Sequence, residues 1–154
     1  MSGVGQSTGK KTGRRRGGVS RRRRSHDDRR KIIAALDLGT NNCRLLVAHP
    51  KPGGFKVIDG FSKIVRLGEG VAGSGSLSAA AMDRTLDALK MCAERIVQRD
   101  VTHGRYIATE ACRQADNGER FLERIEKEIG IRLETIPSRE EATLTLAGCL
   151  PLLN

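Results

Sequence analysis

Three short segments carry residue types that can act on a phosphate group. The first is Asp37-Leu38-Gly39-Thr40-Asn41-Asn42, directly after the apolar run Ile32-Ile33-Ala34-Ala35-Leu36. A carboxylate at the end of a buried strand can hold a metal ion or a water. The glycine lets backbone approach an anion, and Thr and Asn supply donors to phosphate oxygens. The same residue types also dominate ordinary turns. No Gly-Lys-Ser/Thr follows, so the segment is not a Walker A loop. The second segment is Ser138-Arg139-Glu140-Glu141-Ala142. Paired carboxylates beside a phosphate can activate water or hold Mg²⁺, although Ser138 with Glu141 three residues later is also a capping box. The third is Arg113, within Thr109-Glu110-Ala111-Cys112-Arg113-Gln114-Ala115. Its guanidinium either points at a phosphate or serves as a surface charge.

The elements that position these segments begin only at about residue 31. The 154-residue chain has a formal charge of +10, and residues 1–31 account for all of it, with 12 Lys and Arg against 2 Asp. Residues 32–154 carry 16 charges of each sign, which excludes a wholly basic nucleic-acid domain. Residues 1–30 have almost nothing to bury and are expected to be disordered. Their clusters Arg14-Arg15-Arg16 and Arg21 to Arg24 form either an electrostatic handle for a polyanion, nucleic acid included, or a solvated extension. No run of about 18 apolar residues suggests a membrane helix, and no apolar segment follows the N-terminal charges as in a secretory signal. The four cysteines form no C-x-x-C pair, and with three histidines scattered among them a structural zinc site is not expected. They read as reduced, mostly buried thiols of a cytoplasmic protein. Four aromatics and no Trp argue against a stacking platform for single-stranded nucleic acid.

From Lys31 onward the pattern predicts three strands joined by short turns. They are the Ile32 run, Cys43 to Ala48, and a strand opening at Phe55 after the turn Pro52-Gly53-Gly54. Gly68 to Ser76, with four glycines, reads as a loop. Ser78 is the expected N-cap of a helix over Ala79 to Arg99, with Met82, Leu86, Leu89, Ala93, Ile96 and Val97 inward. A short strand over Arg105 to Thr109 follows. Asn117 is expected to cap a second helix with Phe121, Leu122, Ile125 and Ile129 inward and Gly130 as its stop. Alternation at Ile131, Leu133 and Thr135 predicts a strand, and Ser138 opens a last helix to about Leu150. The order β-β-β-α-β-α-β-α describes an α/β fold with helices on the faces of a mixed sheet. It is also the order of one lobe of the actin, sugar kinase and Hsp70 architecture, whose lobes are ribonuclease H-like.

Taken together, these segments resemble the Ppx/GppA family of exopolyphosphatases and guanosine pentaphosphate phosphatases. The resemblance runs from Ile32 to about Leu150 in four ordered blocks. Ala35 to Ala48 looks like the family's opening phosphate loop, and Arg66-Leu67-Gly68-Glu69-Gly70 with Leu77-Ser78 like its next block. Ala108 to Ala115 with Asn117-Gly118 and Phe121-Leu122 form the third; Ile136, Glu140-Glu141-Ala142 and Gly148 form the fourth. The resemblance implies that Glu141 is the catalytic base. It also implies that Asp37 lies near the metal, that Gly39, Thr40 and Asn41 bind phosphate, and that Arg113 faces the phosphate chain. Family members continue into an Asp-x-Gly-Gly-Gly-Ser segment and a second lobe, whereas this chain stops at Asn154.

The expectation is therefore a single actin-like lobe over residues 31–154. It would belong to a Mg²⁺-dependent hydrolase that releases terminal phosphate from polyphosphate or guanosine pentaphosphate. Without the second lobe it is expected to be weakly active or inactive alone, and any oligomer would require that lobe. The alternative is a non-catalytic fragment that binds polyanions through its tail. An ATP-using kinase or chaperone lobe is a third option, disfavoured because those relatives lack the Glu-Glu-Ala block at that place.

Overall fold

The computed structural model describes Met1 and residues 31–149; the basic clusters of residues 1–30 lie outside the described residues. Strands β1 (Ile33–Leu38), β2 (Asn42–Lys51) and β3 (Gly54–Ile64) form an antiparallel meander. Helices α1 (Val71–Ser74) and α2 (Ala79–Gln98) lead to β4 (His103–Ala108). Helices α3 (Glu110–Gln114) and α4 (Gly118–Ile129), strand β5 (Glu134–Thr135) and helix α5 (Ser138–Cys149) follow. The sheet order is β3-β2-β1-β4-β5, with β4 parallel to both β1 and β5.

Two-residue alternation sorts the sheet into a dry face and an open face. Ala34, Leu36, Leu38, Cys43, Leu45 and Val47 point into the core, while Ala35, Arg44 and Leu46 point out. A bulge between Val47 and Ala48 shifts the β2–β3 register, so that Val47 pairs with Asp59 and Ala48 with Val57. That local break explains two successive buried residues. Pro52 and Gly53 sit between the paired Lys51 and Gly54. Gly53 has φ +80°, the left-handed conformation required at the third position of a type II turn.

Helix α2 covers the dry face with Ala81, Thr85, Leu86, Ala88, Leu89 and Cys92 buried. Ser78 caps it as expected, its side chain accepting from the Ala81 N–H at 3.2 Å. Val97, expected inward, is 74 % exposed, because it falls at the rim of the apolar stripe in the helix's last turn. Phe121 and Ile125 of α4 are buried, and Gly130 ends that helix at φ +79° with its N–H on the Glu126 carbonyl.

Several local expectations are corrected. The glycine-rich loop contains the one-turn helix α1, and α3 is a second one-turn helix absent from the sequence pattern. Strand β5 is two residues long, although Ile131 and Leu133 before it are buried. Asn117 makes no side-chain cap to α4. Instead its Oδ1 accepts from the Leu77 N–H at 2.8 Å and its Nδ2 donates to the Leu77 carbonyl at 3.0 Å. Cys43, Cys92 and Cys112 are buried free thiols. The sulfurs of Cys43 and Cys92 lie 3.9 Å apart between β2 and α2, and this pairing together with burial pushes the Cys43 thiol up.

Candidate active site

Because β1, β4 and β5 are parallel, the segments that follow them leave the sheet along one edge. In open α/β sheets this carboxyl edge is where ligands bind. The edge carries all three segments singled out in the sequence: the turn after β1, Thr109 to Ala115 after β4, and Ser138 to Ala142 after β5.

The turn after β1 is fixed by backbone bonds. The Gly39 N–H donates to the Asn42 carbonyl at 2.9 Å, and the Thr109 N–H donates to the Leu38 carbonyl at 3.1 Å. The Asn41 carbonyl accepts from the N–H groups of Val65 (2.8 Å) and Arg66 (3.0 Å), and the Thr40 carbonyl from Gly68 (3.0 Å). A Cβ on Gly68 would overlap the Thr40 methyl, so the two loops lie in direct contact. Gly39 differs: its φ is not left-handed, and a Cβ there would meet nothing closer than the Asn42 oxygen at 3.4 Å. The fold does not demand a glycine at position 39.

Asp37 is half-buried at the end of β1, opposite Arg44 in the antiparallel register. Burial raises its carboxyl above the usual range, and the Arg44 charge partly offsets the rise. Asp37, Arg44 and Arg105 line a depression of about 710 Å³ on the open face of the sheet, which Leu144 of α5 also borders.

Glu141 lines a separate depression of about 580 Å³ with Glu110, Arg113 and Ser138. The capping box expected at Ser138 does not form. The N–H groups of Glu140 and Glu141 donate to the Pro137 carbonyl at 2.9 and 3.1 Å, and Ser138 Oγ accepts from Arg113 Nη2 at 2.9 Å. Arg113 Nη1 donates to the Ile136 carbonyl at 2.6 Å. A guanidinium has five N–H donors, so Arg113 both braces the start of α5 and keeps donors for a ligand. Glu140 turns away from this depression to Arg105 (2.7 Å), which also holds Glu134 (2.6 Å).

The structure thus brings Arg113 and Glu141 together and leaves Asp37 in a neighbouring depression. Sequence reasoning missed Glu110 and Arg44. Arg44 was readable from hairpin arithmetic, since pairing of Leu38 with Cys43 puts Asp37 opposite it. Glu110 had no sequence cue, because its approach to Glu141 depends on the parallel pairing of β4 with β5. Among the described residues, no three His, Cys, Asp or Glu side chains converge closely enough to hold a metal ion.

Residues 46–153 match the Ppx/GppA phosphatase family. The chain belongs to that family. Arg113 and Glu141 fall inside the matched span, and the Asp37–Asn41 turn precedes it. Among curated Ppx/GppA relatives, a guanosine-5'-triphosphate,3'-diphosphate pyrophosphatase of Photobacterium profundum is 32% identical over 117 residues, covering 76% of this chain and 24% of the relative. The crystal structure of the Aquifex aeolicus Ppx/GppA family member aligns with TM-score 0.66 and 34% identity, over 69% of this chain and 35% of that one. An exopolyphosphatase from Cytophaga hutchinsonii aligns with TM-score 0.70 and 32% identity, over 74% and 36%. The chain spans about a quarter of the curated relative and a third of these solved ones. Like them it is a mixed α/β structure of the actin-like ATPase class. No helix among the described residues is long and apolar enough to cross a membrane.

Proposed function

We propose that residues 31–154 form the first lobe of a cytoplasmic phosphoanhydride hydrolase that releases terminal phosphate from polyphosphate or from guanosine-5'-triphosphate,3'-diphosphate. The observation that carries this reading is the shared depression of Glu141 and Arg113. Ser138 is engaged by Arg113 instead of forming a capping box, so the Glu141 carboxylate has no helix-capping duty and faces the cavity as a base for water. Arg113, braced at two points, meets the charge on the transferred phosphoryl group without having to reorganise. Gly39, Thr40 and Asn41 hold a neighbouring phosphate. A glycine that the fold does not require suits close approach of a ligand to the Gly39 backbone.

Among the described residues the carboxylates do not make a metal cage of their own. Mg²⁺ takes one or two protein carboxylates together with substrate phosphates, and Asp37 is the carboxylate we assign to it. When bound, the ion would neutralise phosphate charge. The three buried free thiols suit a reducing compartment. The alternative role of residues 1–30 as a polyanion handle lies outside the described residues.

Phosphate release from polyphosphate with Mg²⁺ tests the reading. The 154 residues by themselves should work at least about 100-fold more slowly than a two-lobed relative, because even one missing preorganised donor costs about that much. Fused to the remaining two-thirds of the Cytophaga relative, they should turn over, and Glu141→Gln should abolish that activity. Unchanged turnover in the Glu141→Gln fusion would refute the assignment.

A further inference from the structure

In the site described so far the Arg66-Leu67-Gly68-Glu69-Gly70 block only braces the turn after β1 through its backbone. Arg66 nevertheless has an unusual setting. It is one of two non-glycine residues at positive φ (+47°) among the described residues, and the other, Asp100, closes α2. That region favours glycine, and a larger residue stays there only when its surroundings impose the conformation. Here they do: the N–H groups of Val65 and Arg66 both donate to the Asn41 carbonyl, and Gly68 is bonded to Thr40. The Arg66 backbone is therefore built onto the turn that we read as a phosphate loop.

Its side chain is not part of the core. Arg66 is exposed, and among the described residues its guanidinium has no ion pair or hydrogen-bond partner. The adjacent Arg84 is the opposite case, held by the Val65 carbonyl at 3.1 Å and by Glu69 at 2.9 Å. Arg66, Arg84, Glu69 and Ile64 line a depression of about 360 Å³. Ile64 pairs with Asn42 in the sheet, so this depression adjoins the loop. With Glu69 matched by Arg84, one positive charge is left uncompensated. An unpaired guanidinium carried on a backbone held beside that loop suits a phosphate oxygen.

We propose that Arg66 is an anion subsite for a second phosphate group of the same phosphoanhydride ligand, outside the Glu141 depression. The proposal rests on the reading of Gly39–Asn41 as a phosphate loop. It makes Arg66 a binding residue that discriminates chain phosphates from orthophosphate.

The test uses the full chain, with ligand affinity from ¹H–¹⁵N shifts of residues 38–42 and 65–68 during titration. This readout separates the site from any binding by residues 1–30. The ligands are orthophosphate, tripolyphosphate, long-chain polyphosphate and guanosine-5'-triphosphate,3'-diphosphate. Arg66→Gly relieves the left-handed backbone, so its unfolding temperature should be equal or higher, while tripolyphosphate affinity falls about tenfold. Arg66→Lys should keep part of that affinity. Lys63→Gln, which removes an exposed cation nearby, should keep all of it, and orthophosphate affinity should not change in any of the three. An equal loss with both long ligands assigns the subsite to phosphates whatever carries them; a loss confined to polyphosphate assigns it to a linear chain. If Arg66→Gly binds tripolyphosphate as tightly as the parent, or Lys63→Gln loses as much, the proposal is overturned. Thr40→Val separates the two readings. If it weakens binding where Arg66→Gly does not, only the subsite fails. If it too has no effect, the phosphate-loop reading fails with it.

Discussion

Replacing Asn117 by aspartate separates two roles that the sequence cannot tell apart. As a helix cap, Asn117→Asp would be neutral or favourable, since both residues cap well and a negative charge at a helix N-terminus gains about 0.3–1 kcal/mol. The structure gives Asn117 a different task. Its amide exchanges two hydrogen bonds with the backbone of Leu77 at 2.8 and 3.0 Å, tying the entry of α2 to the start of α4. Aspartate keeps the acceptor but turns an oxygen toward the Leu77 carbonyl. That hydrogen bond is lost, and leaving the part-buried carbonyl without its donor costs about 1–3 kcal/mol. After the dipole gain is subtracted, a net destabilisation of about 1–2 kcal/mol is expected, or roughly 3–8 °C in Tm for a domain of this size. Urea and thermal unfolding of the two proteins at pH 7 measure it. The difference should narrow below about pH 4, where a protonated carboxyl regains the donor. An Asn117→Asp protein as stable as its parent at pH 7 would refute the clasp.

Three further outcomes are expected. Asp37→Asn should stabilise the protein at neutral pH. A carboxyl whose folded pKa is raised by burial favours folding below its unfolded pKa and loses that contribution as pH rises through the folded value. The gain should therefore vanish below about pH 4 in unfolding scans. Gly39→Ala should change stability by no more than about 0.5 kcal/mol, because its Cβ has room, yet lower tripolyphosphate affinity measured by titration. Deleting residues 1–30, which carry most of the basic excess, should flatten the salt dependence of long-polyphosphate binding between 50 and 200 mM salt, read by fluorescence anisotropy; an unchanged slope would leave that segment without an electrostatic role.

What the sequence by itself determined is whatever depends on neighbours a few residues apart. The apolar run from Ile32 to Leu36 gave the first strand, and spacings of three and four gave the buried stripe at Leu86 and Leu89. Ser78 and Gly130 marked helix ends through bonds made within one turn. The four blocks of the family resemblance were readable for the same reason, as local strings in order. The tertiary structure decided every feature whose partner is remote in the chain. Asn117 turns to Leu77, 40 residues away, and Arg113 takes Ser138 from the capping role that its spacing offered. Glu110 meets the depression of Glu141 only because β4 and β5 run parallel. Arg66 is left-handed only because Asn41 holds its backbone. Ser, Asn and Arg side chains each have several donors or acceptors that can be satisfied locally or at a distance. Local spacing shows which bonds are available to them, and the packing of the sheet edge selects the ones that form.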